Sequence, residues 1–180
     1  MSKLIPRLST EEMTPELRAS LEPRIERLGY LGEFFQCAAH QPQALMSFMT
    51  LTEALKRALP DNLTEVVALS VASLMENAYE RIQHERLSLM LGFKKEWVRE
   101  VISLKADVVE MSALELLIQK LALGVVNRGG RDTASELEAV IKLIGHEQAV
   151  AVLMLIGRYV THALIVNCLG LTPPVSSPLE

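Results

Sequence analysis

Residues 65–84, EVVALSVASLMENAYERIQH, set glutamates, an asparagine and a histidine into a run whose first half is almost purely apolar. From residue 66 to residue 75 every side chain is apolar or small, so a helix here has no polar face to offer solvent. Such a helix belongs at the centre of a bundle, packed all round. Pro60 and the Asn62-x-x-Glu65 spacing read as a start with a capping-box carboxylate, and Gly92 reads as a stop. The spacing therefore predicts one long helix over residues 63–91. On an unbroken helix Asn77, Glu80 and His84 fall at i, i+3 and i+7 and share an arc of about 60°. Glu80 and His84 stand one turn apart, within reach of a shared proton. Buried ionisable groups are costly unless something satisfies or uses them, which makes this arc a candidate site.

The rest of the chain carries helical signals almost throughout. Thr14-Pro15 starts a helix whose Leu17, Leu21, Ile25 and Leu28 form one stripe ending at Gly29, with a kink or break expected near residues 21–22 because Pro23 lies inside it. Further helices are expected over residues 32–40, 42–59 and 95–104, then from Ser112-x-x-Glu115 to residue 126, from Thr133-x-x-Glu136 to Gly145, and from about Glu147 to Leu169. No alternating pattern long enough for a strand competes. The fold class is all-α, a single-domain bundle of about seven or eight helices over residues 1–172, followed by a Pro-rich tail at 173–180.

The pattern Glu65-x11-Asn77-x-Tyr79-Glu80-x3-His84, continued by Leu87, Leu91, Gly92 and Phe93, resembles the signature of the carboxymuconolactone decarboxylase / alkylhydroperoxidase D superfamily. Leu28-Gly29, Phe34-Phe35, Ala39-His40-Gln41-Pro42 and Ile156-Gly157-Arg158-Tyr159 are similar to its longer members. The resemblance spans most of residues 5–172. It implies the all-α fold of the alkylhydroperoxidase D type. In the peroxidase branch, the positions of Asn77 and Glu80 hold a Cys-x-x-Cys redox pair, that of Tyr79 usually a His, and Glu65 and His84 match a proton relay. Both cysteines are missing here. In the decarboxylase branch a Glu four residues before the His is common, as Glu80 is before His84.

The resemblance implies catalytic roles for His84, Glu80 and Glu65 and substrate contacts for Asn77 and Tyr79. Each also has a plainer reading. Glu65 can be a helix cap, Glu80 and His84 an ordinary i, i+4 pair adding about 0.2–0.5 kcal/mol to the helix, and Asn77 a core hydrogen-bonding group. Tyr79 lies about 200° from Asn77 on an unbroken helix, so it joins the site only if the helix is distorted or a neighbouring subunit brings the site to it. Arg158 and His162, one turn apart on the last helix, are expected to pair with a buried acid.

Composition excludes several functions. Net charge is −4 and no basic block exceeds Lys94-Lys95, which argues against a nucleic-acid partner. The apolar fraction of 49% with mean hydropathy +0.23 is high for a monomer of 180 residues and points to a homo-oligomer, a dimer, trimer or hexamer. The unbroken apolar run at 149–157 is too short to span a bilayer, and Arg158 and His162 follow it, so no membrane association is expected. The N-terminus has no apolar signal core, which places the protein in the cytoplasm and its two cysteines, Cys37 and Cys168, as buried thiols. No metal site is expected, since His84 has no second histidine at ligand spacing. Phosphate-loop, dinucleotide, zinc-protease and serine-elbow motifs are absent, and nothing suggests a cofactor.

Three functions follow. The first is a carboxymuconolactone decarboxylase-like, cofactor-free acid–base lyase acting on a small organic acid or lactone, in which His84 moves the proton and Glu80 orients or shares it. The second is a thiol peroxidase, disfavoured because the redox cysteines are absent. The third is a non-catalytic binding or assembly protein.

Overall fold

Helix ends follow local chemistry. Thr14 accepts the Leu17 N–H at 3.3 Å and Pro15 occupies the first turn of α1 (Pro15–Leu28), which ends where Gly29 turns left-handed at φ 77°. No break occurs at residues 21–22: α1 runs through Pro23, with Leu17 and Leu21 on the preceding turns fully buried. The computed structural model describes residues 4–107 and 109–180; residues 1–3 of the N-terminal segment lie outside the described residues. Among the described residues it is all-helical: α2 (Glu33–Ala38), α3 (Pro42–Ala58), α4 (Asp61–Leu74), α5 (Ala78–Met90), α6 (Lys95–Ser103), α7 (Ala113–Arg128) and α8 (Ala134–Leu169) complete eight α-helices, with a 3-10 turn at Thr10–Glu12 and no strand.

The helix expected over residues 63–91 is instead two helices. Glu76 takes a left-handed φ of 53°, the Asn77 N–H reaches back to the Ala72 carbonyl at 2.8 Å, and the Asn77 side chain caps α5 by accepting the Glu80 N–H at 3.1 Å. Asparagine is a weak helix-interior residue and a strong cap, which is the local reason for the break. Its consequence is long-range. On one continuous helix, Glu65 and His84 would be separated by about 28 Å of rise, whereas the break folds α5 back along α4 and brings their side chains into contact.

The central position expected for the apolar run holds for α4. Its ten residues from Leu63 to Ala72 are all buried, packed against α5, α6, α7 and α8. The main core gathers Val66, Leu69, Val98, Ile118, Val152 and Leu155 around it. A second apolar cluster, with Leu17, Leu21, Phe34 and Leu45, ties α1, α2 and α3 to Tyr79 and Val166.

α7 opens with the expected Ser112–Glu115 capping box and closes at a left-handed Gly129. α8 is divided at Gly145, whose φ 77° and ψ 173° are non-helical, as its sequence suggests. An 18-residue window within residues 134–169 is apolar enough in composition to cross a membrane, at a mean hydropathy of 1.9, yet half of that window is buried inside the bundle. The chain beyond Gly170 is not helical, and it folds back so that Lys95 and Arg99 donate to the carbonyls of Pro178 and Leu179.

Candidate active site

The turn at residues 75–77 and the facing middle of α8 together build a polar cluster inside an apolar bundle. Glu65, on α4, is 1% exposed, and its Oε2 accepts the Nδ1–H of His84 at 2.7 Å and the Ser88 hydroxyl at 3.1 Å. Its carboxylate therefore does not cap its own helix: α4 begins a turn earlier at Asp61, and Asn62 donates its side-chain amide to Glu115 of α7 instead. With Nδ1 committed to Glu65, His84 faces the opposite way with Nε2, where the Tyr159 hydroxyl lies at 3.1 Å. The result is a line of donors and acceptors: Ser88 and Glu65 behind, His84 in the middle, Tyr159 in front.

A second cluster adjoins the first. Glu80 accepts from Arg158 Nη1 at 2.8 Å, and its other oxygen lies 3.2 Å from His162 Nε2, while His84 Nε2 is farther from it at 3.6 Å. The expected pairing of Arg158 and His162 with a buried acid is thus with Glu80. The Asn77 amide nitrogen can only donate, so His162 Nδ1, 3.3 Å away, accepts from it and the ring proton sits on Nε2, on the Glu80 side. Asn77 is satisfied on both sides, capping α5 with its oxygen and holding His162 with its nitrogen. Arg158 is fixed further by Nε donation to Thr52 at 3.0 Å and by stacking over Tyr159 and Phe48. Tyr79 does join this neighbourhood because the helix is broken before it: its hydroxyl accepts the Phe34 N–H at 3.4 Å and its ring lies 6.1 Å from that of His162. Gly32 is required beside it, since a Cβ at that position would collide with the Tyr79 hydroxyl.

The electrostatics separate the two histidines. Burial works against a charged His84, but the Glu65 carboxylate and, less strongly, Glu80 outweigh it and hold the imidazole above its usual value. Burial prevails at His162, which is pushed down to about 4 and is neutral at physiological pH. For Glu80, burial opposes ionisation, yet His162 and Arg158 bring the carboxyl well below the usual range. Because His162 titrates near 4, Arg158 is the permanent cation that keeps Glu80 charged. Burial raises the Tyr159 phenol well above 10, so it remains a hydroxyl at every working pH.

These groups floor a cavity of about 400 Å³, within the ~300–1,000 Å³ typical of small-molecule sites. His84, Glu80, Tyr159 and His162 face it from α5 and α8, and Arg24 and Tyr30 border it from α1 and the turn that follows. Of the residues expected at the site, Glu65, Glu80, His84, Asn77 and Tyr79 are all within this one connected cluster. Tyr159, Ser88, Thr52 and Arg24 were not anticipated there; a buried tyrosine, whose hydroxyl must find a partner, was the one readable signal. Neither cysteine borders the cavity: Cys37 is buried on α2, and Cys168, against expectation, is exposed where the last turn of α8 leaves the bundle. No group of three His, Cys, Asp or Glu side chains among the described residues has metal-binding geometry. A larger hollow of about 710 Å³ over α7 has no histidine or cysteine in its lining and no comparable proton relay.

No protein-family model and no curated protein matches the sequence. Solved structures do. An alkylhydroperoxidase AhpD core protein of Ralstonia eutropha JMP134, described as an uncharacterized peroxidase-related protein, superposes with a TM-score of 0.80 at 18% identity, over 93% of this chain and 90% of its own. A putative antioxidant defence protein AhpD of Agrobacterium tumefaciens gives 0.67 at 18% identity, over 77% and 96%. The debrominase Bmp8, as a cysteine-to-alanine variant in complex with 2,3,4-tribromopyrrole, gives 0.80 at 13% identity, over 96% and 92%. With eight α-helices and no strand among the described residues, this chain has the AhpD-like helical fold.

Proposed function

We propose that the cavity carries out proton transfer on a small organic acid or lactone, as a cofactor-free lyase of the decarboxylase type. The observation that carries this reading is the Glu65–His84–Tyr159 line, which ends with His84 Nε2 and the Tyr159 hydroxyl at the cavity wall. In decarboxylation of a β-keto-like acid the C–C bond to the carboxyl breaks, CO2 leaves, and the electron pair remains as an enolate. His84, kept protonated by Glu65, delivers its Nε2 proton to the carbanionic carbon and regains one from solvent. The Tyr159 hydroxyl, which stays protonated, donates a hydrogen bond to the developing oxyanion. Glu80 has a different part from the one its spacing suggests. Locked to Arg158 and His162, it sets the position of those groups rather than sharing the proton of His84.

A thiol peroxidase reading has no support: the resemblance puts Asn77 and Glu80 at the redox positions, and no sulfhydryl lines the cavity wall. The test is a panel of small β-keto acids and carboxylated lactones in D2O, followed by NMR for loss of CO2 and deuterium at the adjacent carbon. His84→Ala should lose about 10²–10⁴-fold in rate, and the double variant Cys37→Ser, Cys168→Ser should keep the wild-type rate and show the same hydroperoxide reduction as wild type. Turnover unaffected by His84→Ala, or peroxide reduction abolished by a single Cys→Ser change, would overturn the assignment.

The reading includes a homo-oligomer. Val150, Met154 and Leu164 are exposed on α8, and with Gly157, Thr161 and Cys168 they recur at alternating spacings of about four and three residues, the repeat of a helix seam packed against another helix. Sizing with light scattering should give a multiple of 20.0 kDa. A monomer at micromolar concentration would sink this part.

A further inference from the structure

The charges bordering the cavity are unevenly matched. Arg24, Arg27, Lys56, Arg86 and Arg158 face only Glu53 and Glu80. Arg158 and Glu80 neutralise one another at 2.8 Å, so four cations remain against a single carboxylate. Arg24 stands out among the four. It is half-buried on α1, its guanidinium lies 4.7 Å over the Phe35 ring, and it forms no ion pair with a described carboxylate. Burial, together with the nearby Arg27, presses its guanidinium below the usual value, and the more distant Glu53 and Glu80 carboxylates offset this only in part. On the α5 side, Gln83 lines the same cavity, and its amide Nε2 is buried with no acceptor among the described residues. An amide nitrogen out of water normally has a partner.

We propose that Arg24 and Gln83 form an oxyanion subsite that takes a carboxylate of the bound molecule and fixes its place relative to His84. The proposal rests on the acid–base reading of the cavity and supplies its specificity-determining residues. The planar guanidinium fork matches the two oxygens of a carboxylate, and the Gln83 N–H satisfies a further lone pair. Phe35, beneath the Arg24 guanidinium, and Leu28, Leu87 and Met90 supply apolar lining to the same cavity. Apolar walls beside the cations suit an organic acid with a hydrocarbon body better than inorganic phosphate, which would leave them unfilled. The carboxylate held here is distinct from the one that leaves: a group gripped by a cation is stabilised as an anion and is a poor source of CO2, so the reacting carbon lies nearer His84.

Calorimetric titration of the full chain with cyclohexanecarboxylate, its neutral amide and inorganic phosphate tests this directly. The wild type should bind the acid saturably and in preference to both the amide and phosphate. Arg24→Gln should weaken the acid by roughly 10- to 100-fold, the factor set by loss of a charge-assisted hydrogen bond, and should leave the weak amide binding unchanged. Arg24→Lys should fall between the two, keeping the charge without the fork, and Gln83→Leu should weaken the acid by about three- to tenfold. His84→Ala should bind the acid within about threefold of wild type. Unchanged acid affinity in Arg24→Gln, equal binding of acid and amide, phosphate binding as tight as the acid, or no saturation by about 10 mM would each overturn the subsite. None of those results touches the proton relay, which fails separately if His84→Ala leaves turnover intact.

Discussion

Arg158→Met is expected to lower the free energy of unfolding by about 3–5 kcal/mol, because it strands the buried Glu80 carboxylate without its permanent cation. The pH dependence identifies the cause. In the wild type the folded pKa of Glu80 lies well below its unfolded value of about 4.3, so its contribution is complete above that value and is lost as pH falls through the folded pKa. Without Arg158, burial dominates and lifts the Glu80 pKa instead. A group with a raised pKa stabilises the fold in acid, so the deficit of the variant should shrink on going from about pH 7 to about pH 5. Adding Glu80→Gln should restore a large part of the loss at neutral pH, since no charge remains buried. Urea unfolding across that range measures all three proteins. A deficit under about 1 kcal/mol that is flat with pH would show that the pair does not hold the fold as argued.

Glu65→Gln is the second large expected effect, on chemistry more than on stability. The glutamine oxygen can still accept the Nδ1–H of His84, so the ring keeps its place, but the carboxylate that stabilises imidazolium is gone. Burial then prevails and the His84 pKa should drop below about 6.5. Glu80→Gln should move it less, because Glu80 is 3.6 Å away and engaged elsewhere, whereas Glu65 is at 2.7 Å. In the wild type the raised pKa contributes stability that is fully present below about pH 6.5 and lost as pH rises through the folded value. Glu65→Gln should reverse that dependence, because a folded pKa below the unfolded one costs stability as pH falls. NMR titration of the His84 ring in the three proteins reads the order of effects, and any lyase turnover at neutral pH should fall by about 10²–10⁴-fold in Glu65→Gln. A larger pKa change in Glu80→Gln than in Glu65→Gln would reverse the assignment of the relay and return Glu80 to the central role its i, i+4 spacing suggests.

What the sequence determined by itself is whatever neighbouring residues decide. The helical class, the all-round burial of residues 66–72, the capping box at Ser112 and Glu115, and the stops at Gly29, Gly129 and Gly170 depend on periodicity and on backbone conformations that few residues adopt. Asn77, Glu80 and His84 could be singled out because polar groups in an apolar helix need partners, but helical spacing did not name those partners; only the family resemblance matched Glu65 with His84. The i, i+4 rule pointed His84 at Glu80; the structure pairs it with Glu65, 19 residues earlier, because one left-handed residue at Glu76 and a cap at Asn77 turn the chain back on itself. Tyr159 and His162 meet α5 and its cap across 75 and 85 residues of sequence, and Arg24 faces the same cavity from α1. Contacts of that range are set by how the helices pack, since no spacing along the chain records which faces of α1, α5 and α8 will converge on one cavity.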